Sequence, residues 1–225
     1  MKKKVYGVYG ASGFGKEVLP LVRAYLSKSQ ISEEHLVFVD DSLGGSGYIN
    51  KYEVVSFDAF LNIKADEYYI TIAIADSKIR EKLTERCIEQ GINILDVKAE
   101  NIVQLDEVII GEGSILCPFV TLTSNIKIGK SFHANIYSYV AHDCIIGDYV
   151  TFAPSVKCNG NIVIEDHVYI GTGAIIKQGK PNKPLKIGAG AVIGAGAFVT
   201  KDVPAGITVI GSPAVKLSKD SLRRR

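Results

Sequence analysis

Apolar residues recur at every sixth position through the second half of this chain, a period that few folds can absorb. From Ile110, steps of six land on Leu116, Leu122, Ile128, Ala134, Val140, Ile146, Phe152, Cys158, Ile164, Ile170 and Ile176, twelve apolar positions without a slip. With about half of all residues apolar, such a run arises by chance about once in several thousand per register. The residue that follows is often small, as at Gly111, Gly129, Ala141, Gly147, Gly171 and Gly188. Four positions on, a second small or apolar residue recurs, as at Val120, Ile126, Val150, Val156, Ile162 and Val168. This is the pattern of a hexapeptide parallel β-helix, in which each hexad makes one flat side of a triangular coil. Three hexads close a turn, so residues 18 apart stack, and Leu122, Val140, Cys158 and Ile176 form one interior ladder. Coils stacked about 4.8 Å apart pair their backbones with the coils above and below, and no coil buries its face alone.

The phase breaks once. Between Ile176 and Ile187 the spacing is eleven, an insertion of five, and the pattern resumes at Ile187, Ile193, Val199 and Ala205. The segment Lys177–Lys186 holds four lysines, two prolines and a glycine. It leaves the coil as a loop at a corner, either simply solvated or forming a lip over a phosphate-bearing ligand.

Residues 1–97 have a different texture, alternating apolar strands with amphipathic helices. Strands are expected at Val5–Tyr9, Leu36–Val39, Glu53–Val55, Tyr68–Ala75 and Ile92–Val97, and helices at Lys16–Leu26 and Ser77–Gln90. That order describes a small Rossmann-like parallel α/β unit. Pro20 lies inside the first helix, where proline is tolerated only near the N-terminus, and obscures where that helix begins. The expected organisation is therefore an α/β unit over 1–97, a β-helix over 98–215 and a basic tail over 216–225.

The first strand runs into Gly10-Ala11-Ser12-Gly13-Phe14-Gly15-Lys16. Glycines there permit close backbone approach, and the following helix N-terminus offers free N–H groups to a phosphate. The spacing is not that of the dinucleotide fingerprint, so phosphate binding and a plain strand-to-helix turn both remain open. Asp40-Asp41 ends the second strand, where a carboxylate meets a ribose or base in a doubly wound sheet, unless the pair is only a charged loop. A unit of this size has room for one nucleotide half-site.

A net charge of +2 gives no electrostatic reason to expect a nucleic-acid partner. No apolar run reaches the ~18–20 residues of a membrane span, and the basic start is followed by too short an apolar stretch for a signal peptide, so a cytoplasmic protein is expected. The cysteines at 87, 117, 144 and 158 form no CxxC pair or zinc spacing, which predicts buried thiols and no metal site.

Of the four histidines, His35, His133 and His167 fit solvent-facing positions, whereas His142 has a distinctive setting. It occupies a corner of its hexad, with Ser124 one coil before and Gly160 one coil after. Small neighbours leave open space beside the ring, and Asp143 follows at once to orient the imidazole and raise its basicity. Residue pattern alone leaves a catalytic base and a surface histidine both open.

Several motifs together resemble the bacterial nucleotide-sugar acetyltransferases related to the bacillosamine N-acetyltransferases and sialic acid O-acetyltransferases. The likeness runs along nearly the whole chain: Tyr9 to Lys16, Phe38-Val39-Asp40-Asp41, Ile74-Ala75-Asp76, Ile79-Arg80, His142 to Asp148, Cys158-Asn159-Gly160-Asn161, Val199 to Pro204 and Gly211-Ser212-Pro213-Ala214. It implies a left-handed coil, a hand that runs against the usual crossover rule and that periodicity cannot set. It also implies a homotrimer with acetyl-CoA in the groove between neighbouring coils, His142 as base and Asp143 polarising it. The front unit would hold the nucleotide of a sugar substrate through Gly10, Ser12, Gly13, Phe14, Gly15, Asp40 and Asp41, with Ala75 nearby. Phe14 stands where many relatives carry His, and Thr151 where some carry a His that touches the acetyl thioester.

The reaction expected is direct transfer of acetyl to the amine of a UDP- or dTDP-linked 4-amino-4,6-dideoxy sugar. Gly160 would offer a backbone N–H to the oxyanion, while Thr172, Gly173 and Ala195 line the pantetheine. No cysteine is placed for an acyl-enzyme. O-acetylation of sialic acid or a related sugar is the alternative chemistry, and a non-catalytic nucleotide-sugar-binding trimer the alternative of another class.

Overall fold

The computed structural model describes residues 2–29, 35–42 and 47–218. The chain divides into two compact units, Met1–Lys98 and Ala99–Arg225. The Arg223-Arg224-Arg225 end of the expected tail lies outside the described residues. The start of that tail is not free: Val215–Lys216 is a strand antiparallel to Thr208–Ile210.

In the first unit, β1 (Lys4–Tyr9), α1 (Gly13–Lys28), β2 (Leu36–Val39), β3 (Tyr48–Ile49), β4 (Tyr52–Val55), α2 (Phe57–Leu61), β5 (Glu67–Ile72), α3 (Ser77–Glu89) and β6 (Asn93–Ile94) follow in order. The sheet runs β3-β4-β2-β1-β5-β6, parallel at every pairing except β3 with β4. β1 is buried along Val5–Tyr9, as a central strand covered on both faces must be.

Three boundaries differ from the sequence expectation. α1 begins at Gly13 and runs through Pro20, because Val18, Leu19, Val22 and Leu26 are buried along one face while Pro20 and Lys16 point to solvent. The Lys16 carbonyl that Pro20 cannot bond is therefore open to water. β5 stops at Ile72 rather than Ala75: Ala73 N–H still bonds the Tyr9 carbonyl, but the chain then turns into α3, capped by the Asp76 carboxylate on the N–H groups of Lys78 and Ile79. The last stretch contributes only Asn93–Ile94 to this sheet, and α2 and β3 were not legible in the sequence.

The second unit is a left-handed parallel β-helix. Among the described residues, three parallel sheets of eight, six and five strands form its sides, with one antiparallel pair closing the largest. Register follows the 18-residue stack: Leu122, Val140, Cys158, Ile176 and Val199 are successive partners and all are buried. The small residue after each interior position has a steric cause: a Cβ at Gly111 would fall 2.6 Å from the Gly129 carbonyl carbon of the next coil. Ala205, expected inside, is exposed; Val203 and Val209 take the interior places instead, because the closing coil is two residues shorter between Val199 and Val203. The inserted loop is also shorter than expected, since Leu185–Ile187 is already a strand paired with Ile162–Ile164.

Candidate active site

The corners of the regular coils turn through one residue of left-handed backbone. In the column that holds the candidate base these are Glu107, Asn125, Asp143 and Asn161, with φ of 56°, 58°, 58° and 58°. Asn and Asp tolerate this conformation best among residues with a side chain, so the repeat itself favours a short polar group here. Asp143 uses it to reach back to its neighbour: Oδ2 lies 2.7 Å from His142 Nδ1, and both side chains are about half exposed, at 48% and 47%. Its other oxygen, Oδ1, accepts from Asn125 Nδ2 at 3.2 Å, and its N–H bonds the Ser124 carbonyl at 3.1 Å. The hydrogen bond with His142, then that from Asn125, holds the Asp143 carboxyl below the usual range. An ionised Asp143 accepts a hydrogen bond from Nδ1–H and leaves Nε2 with a free lone pair.

The space that the small neighbours were expected to leave open is filled by the ring itself. A Cβ at Gly160 would lie 2.5 Å from both Cε1 and Nε2 of His142, so the imidazole rests on the bare Gly160 backbone. Beneath the corner, the Cys144 thiol donates to the Asn159 carbonyl at 3.3 Å and the His142 carbonyl at 3.6 Å. Asn159 ties two coils together, accepting from Tyr139 Oη at 2.8 Å and donating to the Ile176 carbonyl at 2.7 Å. Sequence reasoning missed Asn125, Asn159 and Tyr139. Asn125 was findable, since it lies 18 residues before Asp143. All four cysteines are free thiols and buried.

The residues expected to line the acyl donor divide in space. Gly160 shares the corner of His142, whereas Thr172, Gly173 and Ala195 occupy the next corner round, at the other end of the side formed by Lys157–Cys158 and Ile175–Ile176. Thr151 lies on a third stretch, in strand Thr151–Phe152, and is 3% exposed. One chain therefore does not bring these groups around His142. His133, expected at the surface, is fully buried, and His167 is half-buried and stacks on Tyr149 at 5.4 Å.

In the first unit the glycine turn is built as expected. Gly10 has φ of +101°, and a Cβ at Gly15 would overlap the Gly10 carbonyl oxygen, so the turn closes only with glycine at both places. Gly13 opens α1 with empty space where a Cβ would sit, and Ser12 forms no side-chain cap. The two aspartates are more occupied than the sequence suggested. Asp40 Oδ2 accepts the Ala11 N–H at 2.9 Å, and Oδ1 accepts both the Ser42 N–H and hydroxyl. Asp41 accepts from Tyr9 Oη at 2.6 Å, Phe57 N at 2.8 Å and Arg86 Nη1 at 3.1 Å. Burial alone would raise the Asp41 carboxyl, but these donors outweigh it and hold it below its ordinary value. Asp40 thus shapes the turn and Asp41 braces the sheet edge. The Ala75 carbonyl, with that of Ile74, is held by the buried Arg80 guanidinium at 3.1 and 2.7 Å.

Comparison with known proteins bears on both units. Residues 7–87 match the family model described as the PglD N-terminal domain. The chain is 52% identical over 215 residues to a GDP-perosamine N-acetyltransferase of Escherichia coli O157:H7, covering 96% of this chain and 97% of that one. Among solved structures it is similar to WeeI from Acinetobacter baumannii AYE, with 62% identity, a TM-score of 0.93 and coverage of 95% and 100%. It is also similar to the acetyltransferase domain of PglB from Neisseria gonorrhoeae FA1090 in complex with acetyl coenzyme A, with 29% identity, a TM-score of 0.82 and coverage of 96% and 100%.

Proposed function

The chain belongs to the family of bacterial nucleotide-sugar acetyltransferases, a family of acetyl-CoA-dependent enzymes, and from that premise we propose that it moves acetyl from acetyl-CoA to the amine of a nucleotide-linked 4-amino-4,6-dideoxy sugar with His142 as general base. The observation that carries the reading is the His142–Asp143 pair at 2.7 Å on a coil corner, its Nε2 face lying over the bare Gly160 backbone.

In this mechanism Asp143 fixes the Nδ1–H tautomer, and His142 Nε2 takes the proton of the attacking amine. The amine nitrogen then forms its bond to the thioester carbonyl carbon. The Gly160 N–H, which has no acceptor among the described residues, is the candidate donor to the oxyanion. The imidazolium returns its proton to the departing thiolate as the carbon–sulfur bond breaks. The turn at Gly10–Gly15 supplies backbone N–H groups to the nucleotide phosphates.

The division of donor-lining residues between two corners favours a groove completed by a second copy, hence a homotrimer. The exposed Phe119 and Tyr137, stacked at 4.8 Å on the corner that carries Thr172 and Gly173, support such a contact. Among the described residues no helix is long and apolar enough to cross a membrane.

The test is coenzyme A release from acetyl-CoA with a panel of nucleotide-linked amino sugars. Given the 52% relative, GDP is the first nucleotide to try, ahead of the UDP or dTDP that the sequence resemblance implied. Release with one amino sugar and none with its hydroxyl analogue is the expected result. Silence across the panel leaves the non-catalytic binding protein as the better account.

A further inference from the structure

Two of the buried cysteines meet the backbone where the coil is least regular. The residue after each interior position donates its N–H to a carbonyl of the next coil. At the corner of His142, Thr123 donates to Val140, Ala141 to Cys158 and Lys177 to Val199, and the other corners do the same, as at Gly147 and Ala153. Among the described residues, Asn159 is the one such position between Gly111 and Gly194 that makes no such bond. The Ile176 carbonyl that its N–H should meet is taken by its own side chain, through Nδ2 at 2.7 Å. An asparagine does not cause this break by itself. Asn135 puts both its N–H and its Nδ2 on the Phe152 carbonyl, at 3.0 and 2.9 Å.

What sets Asn159 apart is its carbonyl. Cys144 Sγ donates to it at 3.3 Å and Cys158 Sγ at 3.9 Å, both from the buried interior of the coil. The two thiols interrupt ladders that are otherwise aliphatic here. Cys144 stacks between Ile126 and Ile162, and Cys158 between Val140 and Ile176. A trans peptide holds its C=O and N–H in one plane on opposite sides. With the Asn159 carbonyl drawn inward to the thiols, the Gly160 N–H of the same peptide points out of the coil. It does so at the corner where the His142 ring rests on Gly160.

We propose that Cys144, assisted by Cys158, is a positioning residue for acetyl transfer: its thiol holds the Asn159–Gly160 peptide so that the Gly160 N–H faces the thioester oxygen. This rests on the acetyltransferase reading above, in which that N–H meets the developing oxyanion. The thiols touch no substrate and form no bond to acetyl.

Three substitutions of Cys144 in the full-length protein separate positioning from packing. Cys144→Val fits the ladder between Ile126 and Ile162 but cannot donate. Cys144→Ser donates but places a hydroxyl among aliphatic neighbours, and Cys144→Ala neither donates nor fills the space. If the thiol positions the peptide, turnover follows the donor. The Val and Ala variants should lose about tenfold in kcat, short of the about 10²–10³ for deleting an oxyanion donor outright, and the Ser variant should recover part of the loss. Michaelis constants for both substrates should hold, because the contact matters in the transition state. Thermal melting checks folding and should rank the Val variant above the Ser variant, the opposite of the turnover order. An active Val variant with an impaired Ser variant means that the thiol only fills space, and overturns the proposal. The loss should also be equal across the pH profile, since the His142–Asp143 pair is untouched. A moved acid limb would mean that the thiol acts through the His142 carbonyl, which it meets at 3.6 Å, and overturns the peptide assignment.

One measurement needs no substrate. The infrared S–H stretch of wild type should contain a hydrogen-bonded component that disappears in Cys144→Ala. Its absence overturns the contact whatever the activity. No coenzyme A release by wild type with any amino sugar is instead the failure of the acetyltransferase reading, and the infrared result stands apart from it.

Discussion

Asp143 in the coil and Asp41 in the α/β unit are both carboxylates held below their ordinary range, yet they reach that state by different routes. Asp143 is positioned by the repeat: its left-handed corner, its His142 neighbour and its Asn125 partner all follow from one column of stacked positions. Asp41 is positioned by tertiary structure, through donors from β1, the start of α2 and α3 that lie far apart in sequence. In the coil a functional residue shows as a departure from a rule that fixes everything around it. In the α/β unit no such rule exists, and a carboxylate placed for a ligand looks the same in sequence as one placed for a tyrosine.

The sharpest way to break this contrast is at the proposed base, His142. His142→Ala should lower turnover by about 10²–10⁴, the usual worth of general-base help, with acetyl-CoA affinity and melting temperature near wild type. The coil does not need the ring, since His142 sits outside the interior ladder. With an amine acceptor, some rate should return at high pH, where the nucleophile is already deprotonated; an alcohol acceptor gains little. Normal turnover by the variant at neutral pH would remove His142 from the chemistry.

Next in size is a pair of substitutions two residues apart in the α/β unit. Gly15→Ala drives a Cβ into the Gly10 carbonyl, and should destabilise the unit by about 2–3 kcal/mol or prevent its folding. Gly13→Val adds its side chain into open space and should leave melting unchanged. If this turn approaches the substrate phosphates, the same variant should raise the Michaelis constant for the sugar nucleotide about tenfold while that for acetyl-CoA holds. Equal effects on both substrates would detach the turn from nucleotide binding.

The two units should also separate under acid. Asp41 is held low by its donors, and Glu67 is drawn down to about 2 by its hydrogen bonds with Lys2, Tyr69 and Lys4. A carboxyl with a depressed folded pKa stabilises above its unfolded value, about 3.9 for Asp and about 4.3 for Glu, and that contribution disappears as pH falls through the folded value. Asp41 is about half exposed and Glu67 partly so, and solvent screening keeps the effect modest. The coil has a depressed carboxyl too, Asp143, but it lies half exposed on a corner, and the interior ladder that holds the coils together carries no carboxylate. Hydrogen exchange should therefore show the α/β unit loosening between about pH 4 and pH 2 while the coil strands stay protected. Earlier opening of the coil reverses the comparison.

This difference also sets what could be read in advance. The period of six placed twelve interior residues, the ladder and the site of the inserted loop, because one misplaced residue in a stacked coil is felt by its neighbours on both sides. It failed at Ala205, where the last coil shortens and stacking no longer constrains the phase. Pro20 misled the start of α1 because packing of Val18, Leu19 and Val22 outweighs one lost hydrogen bond. The division of labour between Asp40 and Asp41 was illegible, since it depends on Ser42, Tyr9 and Arg86 meeting them in space. Gly160 was found by counting 18 from His142, but counting could not show that the ring would lie on it.

The smallest expected effect tests the repeat logic most directly. If the corner column alone positions the pair, removing the far end of the relay should be felt, though weakly. Asn125 Nδ2 donates to Asp143 Oδ1 at 3.2 Å in an exposed setting, and such a bond contributes about 0.5–1.5 kcal/mol at most. Asn125→Ala should therefore lower turnover only about two- to tenfold, less than Asp143→Ala, with the constant for acetyl-CoA unchanged. Its loss should not alter the charge of Asp143 near neutrality, because that carboxyl still bonds His142 and starts from a depressed value. The defect is then one of orientation and should be nearly independent of pH above about 5. Asn125→Asp makes the opposite perturbation: a second carboxylate beside Asp143 favours the protonated imidazole, so the acid limb of the rate profile should move to higher pH. An Asn125→Asp enzyme with an unmoved acid limb, together with full activity in Asn125→Ala, would mean that Asp143 is placed by its own backbone corner and owes nothing to the coil below.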